Sequence, residues 1–296
     1  MAQTGGWDFY NRYHGAIEQR DYRALASFYR SDALHVAVEA RQVLHGREAI
    51  LADLARSCDA AAGPPRPVSI ESFVEYGEAL GVESTVATRY GQSQVYEVYV
   101  FQGGLISHQV SGQITQRRPA AAQAFPNTDA GRYYHGYSAA LAALDYGRLR
   151  TYYRPGSVRI GLSLGEVRQG QDAILGVFQE QARWGGGLGI KALLAFVEAA
   201  DVVCCEYVMS RKISPRPMTT GAVDLLGADI AIVQGGAIRY QFGCLIQPRP
   251  EELKALAIDY ELRVHSSKMA LYRAMGHAGD RLTGGPPTRF VYRPRG

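Results

Sequence analysis

Two carboxyl groups occupy matching places in two otherwise apolar segments of the chain. Glu97 lies in the segment VYEVYV, and Asp229 lies in the segment ADIAIV. A carboxyl group among apolar neighbours is either ionised at a cost in free energy or held protonated by a raised pKa. A protonated carboxyl can donate a hydrogen bond to an oxygen on which negative charge develops, so both residues are candidate catalytic groups. The alternative is that both side chains face water from the polar side of a strand.

A histidine in an alternating segment is a candidate proton acceptor. In the segment LHVAVE, residues 34–39, apolar residues alternate with His35 and Glu39. This period of two predicts a strand on which His35 and Glu39 share one face. The unperturbed pKa of histidine is about 6.5, so His35 can accept a proton near neutral pH with little tuning. A surface histidine beside a helix end is the alternative interpretation.

An internal repeat relates the two halves of the chain. The matched segments are YHG (13–15 and 134–136), DY (21–22 and 145–146), FYR and YYR (28–30 and 152–154), HGREAI and QGQDAI (45–50 and 169–174), and QGGLI and QGGAI (102–106 and 234–238). The offset is 124 from the DY match to the HGREAI match and 132 at the Gln-Gly-Gly turn, so a loop in the second copy has about eight extra residues. The repeat predicts domains at residues 1–120 and 130–250, followed by a C-terminal segment at 251–296.

Each copy has the same predicted order of elements. Helical spacing over residues 8–30, broken near residue 20, predicts two short helices. The later segments predict a strand at 34–38, a helix at 48–58, and strands at about 68–76, 80–90, 94–101 and 105–116, with a glycine hairpin turn at 103–104. Helices packed in a curved antiparallel sheet predict an α+β fold of two consecutive cone-shaped domains. Residues 251–275 predict an amphipathic helix, followed by a tail rich in Gly, Pro and Arg.

The order of these motifs resembles a known family. A helix, RDYRALASFYRSDA, a strand, HGREAI and hairpin strands with a glycine turn are similar to the SnoaL-like and ketosteroid-isomerase-like members of the nuclear-transport-factor-2-like superfamily. The resemblance covers residues 8–119 and 131–250. It implies that the two copies form an intramolecular pseudo-dimer, because members of this superfamily usually dimerise through the sheet.

The resemblance also implies a catalytic arrangement. In ketosteroid-isomerase-like sites, a tyrosine of the first helix and a protonated carboxyl of a late strand bind an oxyanion, while a carboxylate of the first strand takes the proton. The matching tyrosines are Tyr13 and Tyr137, and the matching carboxyls are Glu97 and Asp229. Tyr13 could instead belong to the core, with its hydroxyl group satisfied there.

At the position where the family has its catalytic base, this chain has a different type of residue. It holds Ala37 in the first copy and Gly161 in the second, and neither residue can take a proton. We therefore expect His35, or Glu39 on the same face, to replace the base in the first copy. Arg159 occupies the place of His35 in the second copy, so we expect the copies to differ, with Tyr13→Phe slowing turnover more than Tyr137→Phe.

Four further residues complete the candidate pockets as substrate-binding groups: Glu39, His108, Arg159 and Tyr240. His108 corresponds to Tyr240 and shares the strand parity of Ile106, which predicts that it points into the cone. His14 and its YHG match His135 are expected at a helix surface or at the seam between the domains.

Composition excludes several classes of protein. The chain has 296 residues, a net charge of +4 and 47% hydrophobic residues, which favours a globular protein over a nucleic-acid binder or a disordered chain. Its four cysteines lack metal-ligand or disulfide spacing, so we expect buried reduced thiols, no metal and no cofactor. The absence of a long apolar run predicts a cytoplasmic protein that makes no membrane contact.

These observations favour an enzyme. The expected activity is that of a cofactor-independent isomerase, cyclase or lyase of secondary metabolism, acting by acid-base catalysis on a hydrophobic carbonyl compound such as a polyketide or terpenoid intermediate. A tandem epoxide hydrolase of the polyether type is an alternative, although the missing base counts against it. A non-catalytic binding or scaffold protein is the other alternative, since this fold hosts many functions. The expected partners are the small-molecule substrate and a second copy of the chain in a homodimer.

Overall fold

The computed structural model describes residues 5–60, 66–88, 91–114, 123–183, 189–212, 222–246 and 291–292. Contacts divide the chain into two compact domains, one of residues 1–116 with 279–296 and one of residues 117–278. Val291 and Tyr292 therefore group with the first domain.

The first domain contains three helices and one mixed sheet. Its helices are α1 (Gly6–Glu18), α2 (Tyr22–Ala26) and α3 (Arg47–Ala60). Its strands are β1 (Tyr29–Ala37), β2 (Gln42–His45), β3 (Arg66–Tyr76), β4 (Ala79–Thr88), β5 (Gly91–Gln102) and β6 (Leu105–Ile114). The order in the sheet is β3-β4-β5-β6-β1-β2, with β1 parallel to β6 and the other neighbours antiparallel.

The second domain repeats this arrangement. Its helices are α4 (Asp129–Ala142), α5 (Tyr146–Arg150) and α6 (Gln171–Arg183), with a 3-10 helix at Leu162–Leu164. Its strands are β7 (Tyr153–Gly161), β8 (Glu166–Gln169), β9 (Ile190–Ala199), β10 (Val202–Lys212), β11 (Ala222–Gln234) and β12 (Ala237–Ile246). The order β9-β10-β11-β12-β7-β8 matches the first sheet strand for strand. The predicted α+β fold in two consecutive domains is therefore confirmed.

Local sequence explains the bends and turns that the two domains share. Asp21 and Asp145 precede α2 and α5, and each carboxylate accepts a hydrogen bond of 2.9 Å from the backbone N–H three residues later. This is the usual N-cap interaction. The predicted hairpin turn at Gly103 and Gly104 has φ angles of 62° and 80°, which glycine adopts without steric cost.

Three details differ from the sequence expectation or fall outside what the structure describes. The short strand β2 is additional to the predicted elements. Strand β1 ends at Ala37, so Glu39 lies in an exposed turn rather than on the strand face of His35. The predicted helix at 251–275 lies outside the described residues, whereas a two-residue strand, β13 (Val291–Tyr292), runs parallel to the edge strand β3.

Apolar and aromatic side chains form a core between the helices and one face of each sheet. In the first domain this core includes Tyr13 and Tyr29, and in the second it includes Tyr137 and Tyr153. The tyrosines of the first helix of each domain therefore lie over the strands that carry the candidate carboxyls.

All four cysteines are buried free thiols, as predicted. No helix in the described part of the chain combines the length and the apolar character needed to cross a membrane.

Candidate functional site

Five polar side chains of the second domain form one buried hydrogen-bond network. Tyr134 donates to the carboxyl of Asp229. Gln241 Nε2 lies 2.8 Å from Asp229 Oδ2 and 2.9 Å from the Tyr137 hydroxyl oxygen. Tyr153 donates to Gln241 Oε1 at 2.6 Å, and its oxygen is 3.0 Å from that of Tyr137. Gln241 therefore joins two predicted catalytic residues, Asp229 and Tyr137.

The elements of the fold explain why these side chains meet. Tyr134 and Tyr137 are three residues apart on α4, so both face the sheet. Asp229 lies on β11 and Gln241 lies on the neighbouring strand β12. Tyr153 is the first residue of β7, which pairs with the other edge of β12. Helix and sheet thus supply the two ends of the network.

A cavity of about 60 Å³ lies against this network. Its polar lining includes Tyr137, Asp229, Gln241 and Arg159. The apolar part of its wall is formed by side chains such as Leu141, Leu164, Phe178, Ile190 and Met209. An apolar wall with a few polar groups is typical of binding sites for small organic molecules, where the polar groups fix the orientation of the ligand.

Burial changes the acid-base character of the network. It raises the pKa of the Asp229 carboxyl above the ordinary value, and the hydrogen bonds from Tyr134 and Gln241 and the charge of Arg159 offset only part of this effect. Burial also raises the pKa of the Tyr137 hydroxyl, which stays protonated at neutral pH. Asp229 therefore binds a proton more readily than an exposed aspartate does, and the Tyr137 hydroxyl keeps its proton.

Arg159 reaches the same cavity from β7. Its guanidinium carbon lies 5.3 Å from the centre of the Phe178 ring, which holds the charged group by a cation-π contact. The Nε and Nη1 atoms are buried without a hydrogen-bond partner in the described part of the chain. This sequence-predicted substrate-binding residue therefore lies beside Asp229 and Tyr137 in the cavity wall.

The first domain contains equivalent tyrosine and glutamine side chains. Tyr29 donates to Gln109 Oε1, and Gln109 Nε2 lies 3.1 Å from the hydroxyl oxygen of Tyr13. Tyr13 and Tyr29 also share a hydrogen bond, and both are fully buried. These residues correspond to Tyr137, Tyr153 and Gln241 at offsets of 124 and 132.

Glu97 has a different set of partners. Its Oε2 atom lies 3.2 Å from the hydroxyl of Tyr10 and 3.2 Å from His14 Nε2, and Tyr99 donates to Oε1 at 2.9 Å. Burial alone would raise the pKa of Glu97, but the charge and hydrogen bond of His14 and the two tyrosine hydrogen bonds lower it below the ordinary value. Tyr13 and Glu97 thus lie in one core with separate partners, and His14 contacts the carboxyl instead of lying at the helix surface.

The network corrects one match of the repeat. Tyr10 and Tyr134 both contact the strand carboxyl, and they are 124 residues apart. The YHG match instead aligns Tyr13 with Tyr134 at an offset of 121. A slip of three residues is close to one helical turn, so both alignments keep the same face. With the offset of 124, His14 corresponds to Ser138.

His35 is enclosed in the first domain. Only 6% of its surface is exposed, and Nε2 lies 3.0 Å from the hydroxyl of Ser111. Burial lowers the pKa of His35 to about 4, so the ring is neutral at neutral pH. A neutral imidazole can accept a proton, but this low pKa makes His35 a weak base.

Two other predicted substrate-binding residues point away from the networks. The pairing register of β6 shifts between Ile106 and His108, which interrupts the alternation used to place His108. Gln109 faces Tyr13, so the adjacent His108 lies on the opposite face of the strand. Tyr240 stands in the same relation to Gln241. The expectation that His108 points into the cone is therefore wrong because of this irregularity.

Sequence reasoning missed Tyr10 and Tyr134 and the bridging residues Gln109 and Gln241. Each pair recurs at the same offset as its neighbours, and this recurrence is the signal that could have identified them. The buried polar residues of a repeated core are informative because burial demands a partner for each polar atom.

Known proteins were compared with this chain. No family model matches it, and no curated protein matches its sequence. Among solved structures, it is similar to a protein named as a SnoaL-like polyketide cyclase from Shewanella denitrificans, with 16% identity and a TM-score of 0.38, covering 43% of this chain and 97% of that one. It is also similar to a protein with a ketosteroid isomerase-like fold from Catenulispora acidiphila, with 16% identity and a TM-score of 0.34, covering 38% and 82%.

A third similar structure is an NTF2-like protein of unknown function from Cytophaga hutchinsonii, with 11% identity and a TM-score of 0.31, covering 38% of this chain and 92% of that one. Each of these three matches covers less than half of this chain.

Proposed function

We propose that the second domain is a cofactor-independent isomerase or cyclase that moves a proton on a mostly apolar carbonyl compound. The observation that carries this proposal is the convergence of Asp229 and Tyr137 in the wall of one cavity, joined by Gln241. Asp229 is the proton-transfer group, Tyr137 is the donor to the carbonyl oxygen, and Gln241 positions both.

The protons of the network identify Tyr137 as the donor. Tyr153 donates its hydroxyl proton to Gln241 Oε1. Gln241 Nε2 donates one proton to Asp229 and the other to the hydroxyl oxygen of Tyr137. The hydroxyl proton of Tyr137 is then directed to Tyr153 or to a ligand. Rotation about the C–O bond turns it toward a carbonyl oxygen in the cavity at little cost.

The carboxylate of Asp229 takes a proton from the carbon next to the carbonyl. The electron pair of that C–H bond forms a carbon-carbon double bond, and the carbonyl pair moves onto oxygen, where the Tyr137 hydroxyl donates to it. Where a second carbon-carbon double bond is conjugated with the enolate, return of the proton from Asp229 to the far carbon completes an isomerisation. Attack of the enolate carbon on a second carbonyl forms the ring bond and moves the electron pair of that carbonyl onto its oxygen, which takes the proton from Asp229 to complete a cyclisation. The raised pKa of Asp229 suits this role, because a base is most effective with a pKa near the working pH.

The first domain is less suited to this reaction. Its carboxyl is held by His14 and two tyrosines, and its pKa is lowered. A stabilised carboxylate is a weak base. We therefore assign the reaction to the second domain, reversing the order expected for the two tyrosines.

The proposal is tested by proton exchange with solvent. The full chain is incubated in D2O with a panel of apolar ketones and β-keto esters, and loss of the C–H signal next to the carbonyl is followed by NMR. We expect exchange to be accelerated, with Asp229→Asn slowing it by about 100-fold or more. Tyr137→Phe should slow it by about tenfold or more, through loss of one hydrogen bond to the developing oxyanion.

Glu97→Gln and Tyr13→Phe are the matched controls in the first domain, and both should keep the rate within about twofold. The proposal fails if no compound exchanges faster than in buffer, or if Asp229→Asn exchanges as fast as the unaltered protein.

A further inference from the structure

Arg159 is not used by the reaction described above. Its side chain lines the cavity, and two of its nitrogen atoms, Nε and Nη1, are buried without a partner among the described residues. A buried guanidinium with unsatisfied N–H groups costs free energy. Such a cost is usually retained where a ligand supplies the missing acceptors.

Two glycines flank this guanidinium, and a Cβ atom at either would lie at ordinary van der Waals distance from it. A Cβ atom at Gly161 would lie 3.6 Å from Arg159 Nη1, and one at Gly243 would lie 3.4 Å from Nη2. The corresponding residues of the first domain are Ala37 and Ser111.

In the first domain, His35 stands at the position that corresponds to Arg159. Its ring forms an internal hydrogen bond with the hydroxyl of Ser111. At the position of that hydroxyl the second domain has only the hydrogen of Gly243. The second domain therefore combines a larger cationic side chain with the loss of its internal partner, and its N–H groups are left for a ligand.

The position of Arg159 relative to Asp229 defines the shape of the ligand. Arg159 pairs with Gln241 across β7 and β12, and Gly243 on β12 pairs with Asp229 on β11. The two charged residues are thus separated by one strand and offset by two residues along it, which places their backbones about 12 Å apart. Long side chains converging from this distance suit a small molecule with an anionic group a few bonds from its reacting carbon.

We infer that the substrate of the second domain carries a carboxylate that binds the guanidinium of Arg159, next to the carbonyl group that reacts. This inference rests on the proposed function, because it names the substrate class of the same cavity. Guanidinium N–H groups match the geometry of a carboxylate and form charge-assisted hydrogen bonds with it. Phe178 lies under the guanidinium and leaves its edge for the ligand.

Binding of two matched probes tests the inference without turnover. Phenylacetate and phenylacetamide have the same shape and differ in the charge of one polar group. Isothermal titration calorimetry with the full chain should show phenylacetate binding at least about tenfold more tightly, since a charge-assisted hydrogen bond is about twice as strong as a neutral one. Arg159→Met should remove this preference by weakening the acid and not the amide.

Two further variants keep the test specific. Gly243→Ser restores the hydroxyl of the first domain beside Arg159, and we expect it to weaken phenylacetate binding while the guanidinium is still present. Arg168→Met is the control, because Arg168 pairs with Arg159 across β7 and β8 but contacts Glu166 instead of lining the cavity. It should keep the full preference for the acid.

Equal binding of the two probes, binding of neither, or a preference that survives in Arg159→Met would each overturn the inference. These outcomes are separate from failure of the proposed reaction. If the acid is preferred while Asp229→Asn leaves proton exchange unchanged, the anion site stands and the reaction does not. If Asp229→Asn abolishes exchange and the acid is not preferred, the reaction stands and the anion site does not.

Discussion

The two domains contain the same buried tyrosines and glutamine but use their strand carboxyl in opposite ways. In the first domain Glu97 is paired with His14, and its pKa is lowered. In the second domain Asp229 lacks a histidine at the matching helix position, which is Ser138, and burial raises its pKa. The neighbours of a buried carboxyl, more than its place in the fold, therefore decide the direction in which its pKa moves.

The two domains also differ in the size of the side chains around the carboxyl. Three positions on the cavity wall of the second domain have a smaller residue than their counterparts in the first: Ser138 for His14, Gly161 for Ala37 and Gly243 for Ser111. The internal partners of the first domain are thereby replaced by open space. The same substitutions that remove a stabilising contact make room for a ligand.

The largest expected effect is loss of the histidine beside Glu97. His14→Ala leaves a buried carboxylate without its partner, and we expect the free energy of unfolding to fall by about 3–5 kcal/mol. Urea unfolding at pH 6 measures this change. Ser138→Ala, the matched change in the second domain, should cost about 1 kcal/mol or less. Equal losses in the two variants would contradict the difference between the domains.

The next effect depends on pH and concerns His35. The folded-state pKa is about 4, against 6.5 for the free side chain. Because the unfolded chain binds the proton first, His35 stabilises the fold above pH 6.5, and this contribution is lost as the pH falls toward 4. The loss approaches about 3 kcal/mol. Urea unfolding at pH 7 and pH 4.5 should show a smaller acid loss in His35→Gln, and an unchanged acid loss would contradict the assignment.

Arg159 corresponds to His35 in the second domain, and replacing each of them with an apolar residue should change stability in opposite directions. Arg159→Met removes a guanidinium whose Nε and Nη1 atoms are buried without hydrogen-bond partners among the described residues, so we expect stability to rise by about 1–2 kcal/mol. This corresponds to an increase in melting temperature of about 2–8 °C. His35→Met should instead lower the melting temperature, since it leaves the Ser111 hydroxyl unpaired. A loss of stability in Arg159→Met would show that its guanidinium has a structural partner.

The smallest effect should be the same in both domains. Asp21→Ala and Asp145→Ala each remove one N-cap hydrogen bond of 2.9 Å. Each should cost about 1 kcal/mol in urea unfolding. The domains share this local structure, so a clear difference between the two variants would show that the repeat is less exact than the hydrogen bonds indicate.

Much of the fold was predictable because a repeat exposes its elements twice. The paired helices at Asp21 and Asp145 and the glycine turns follow from local rules that do not depend on packing. The strand β2, at Gln42–His45, was missed because four residues are too few to show a clear period. The β-bulge next to His108 was missed because strand alternation assumes an unbroken register.

The candidate site was predictable in part. The resemblance to ketosteroid-isomerase-like sites identified Tyr137 and Asp229, and the alignment of the two copies identified Arg159; all three line one cavity. The opposite pKa shifts of Asp229 and Glu97 could not be predicted, because they depend on side chains from other elements. His14 was expected at a helix surface or at the seam between the domains because an amphipathic pattern does not report which polar residue reaches a buried carboxylate.

The central claim is that one repeated carboxyl position has become reactive in the second domain and structural in the first. The direct measurement is a pH titration of the side-chain carboxyl signals by 13C NMR, with Asp229→Asn and Glu97→Gln identifying the two resonances. We predict that Asp229 titrates above its ordinary value of 3.8 and Glu97 below its ordinary value of 4.5. Titration of Asp229 at or below 3.8, or of Glu97 above 4.5, would contradict the account.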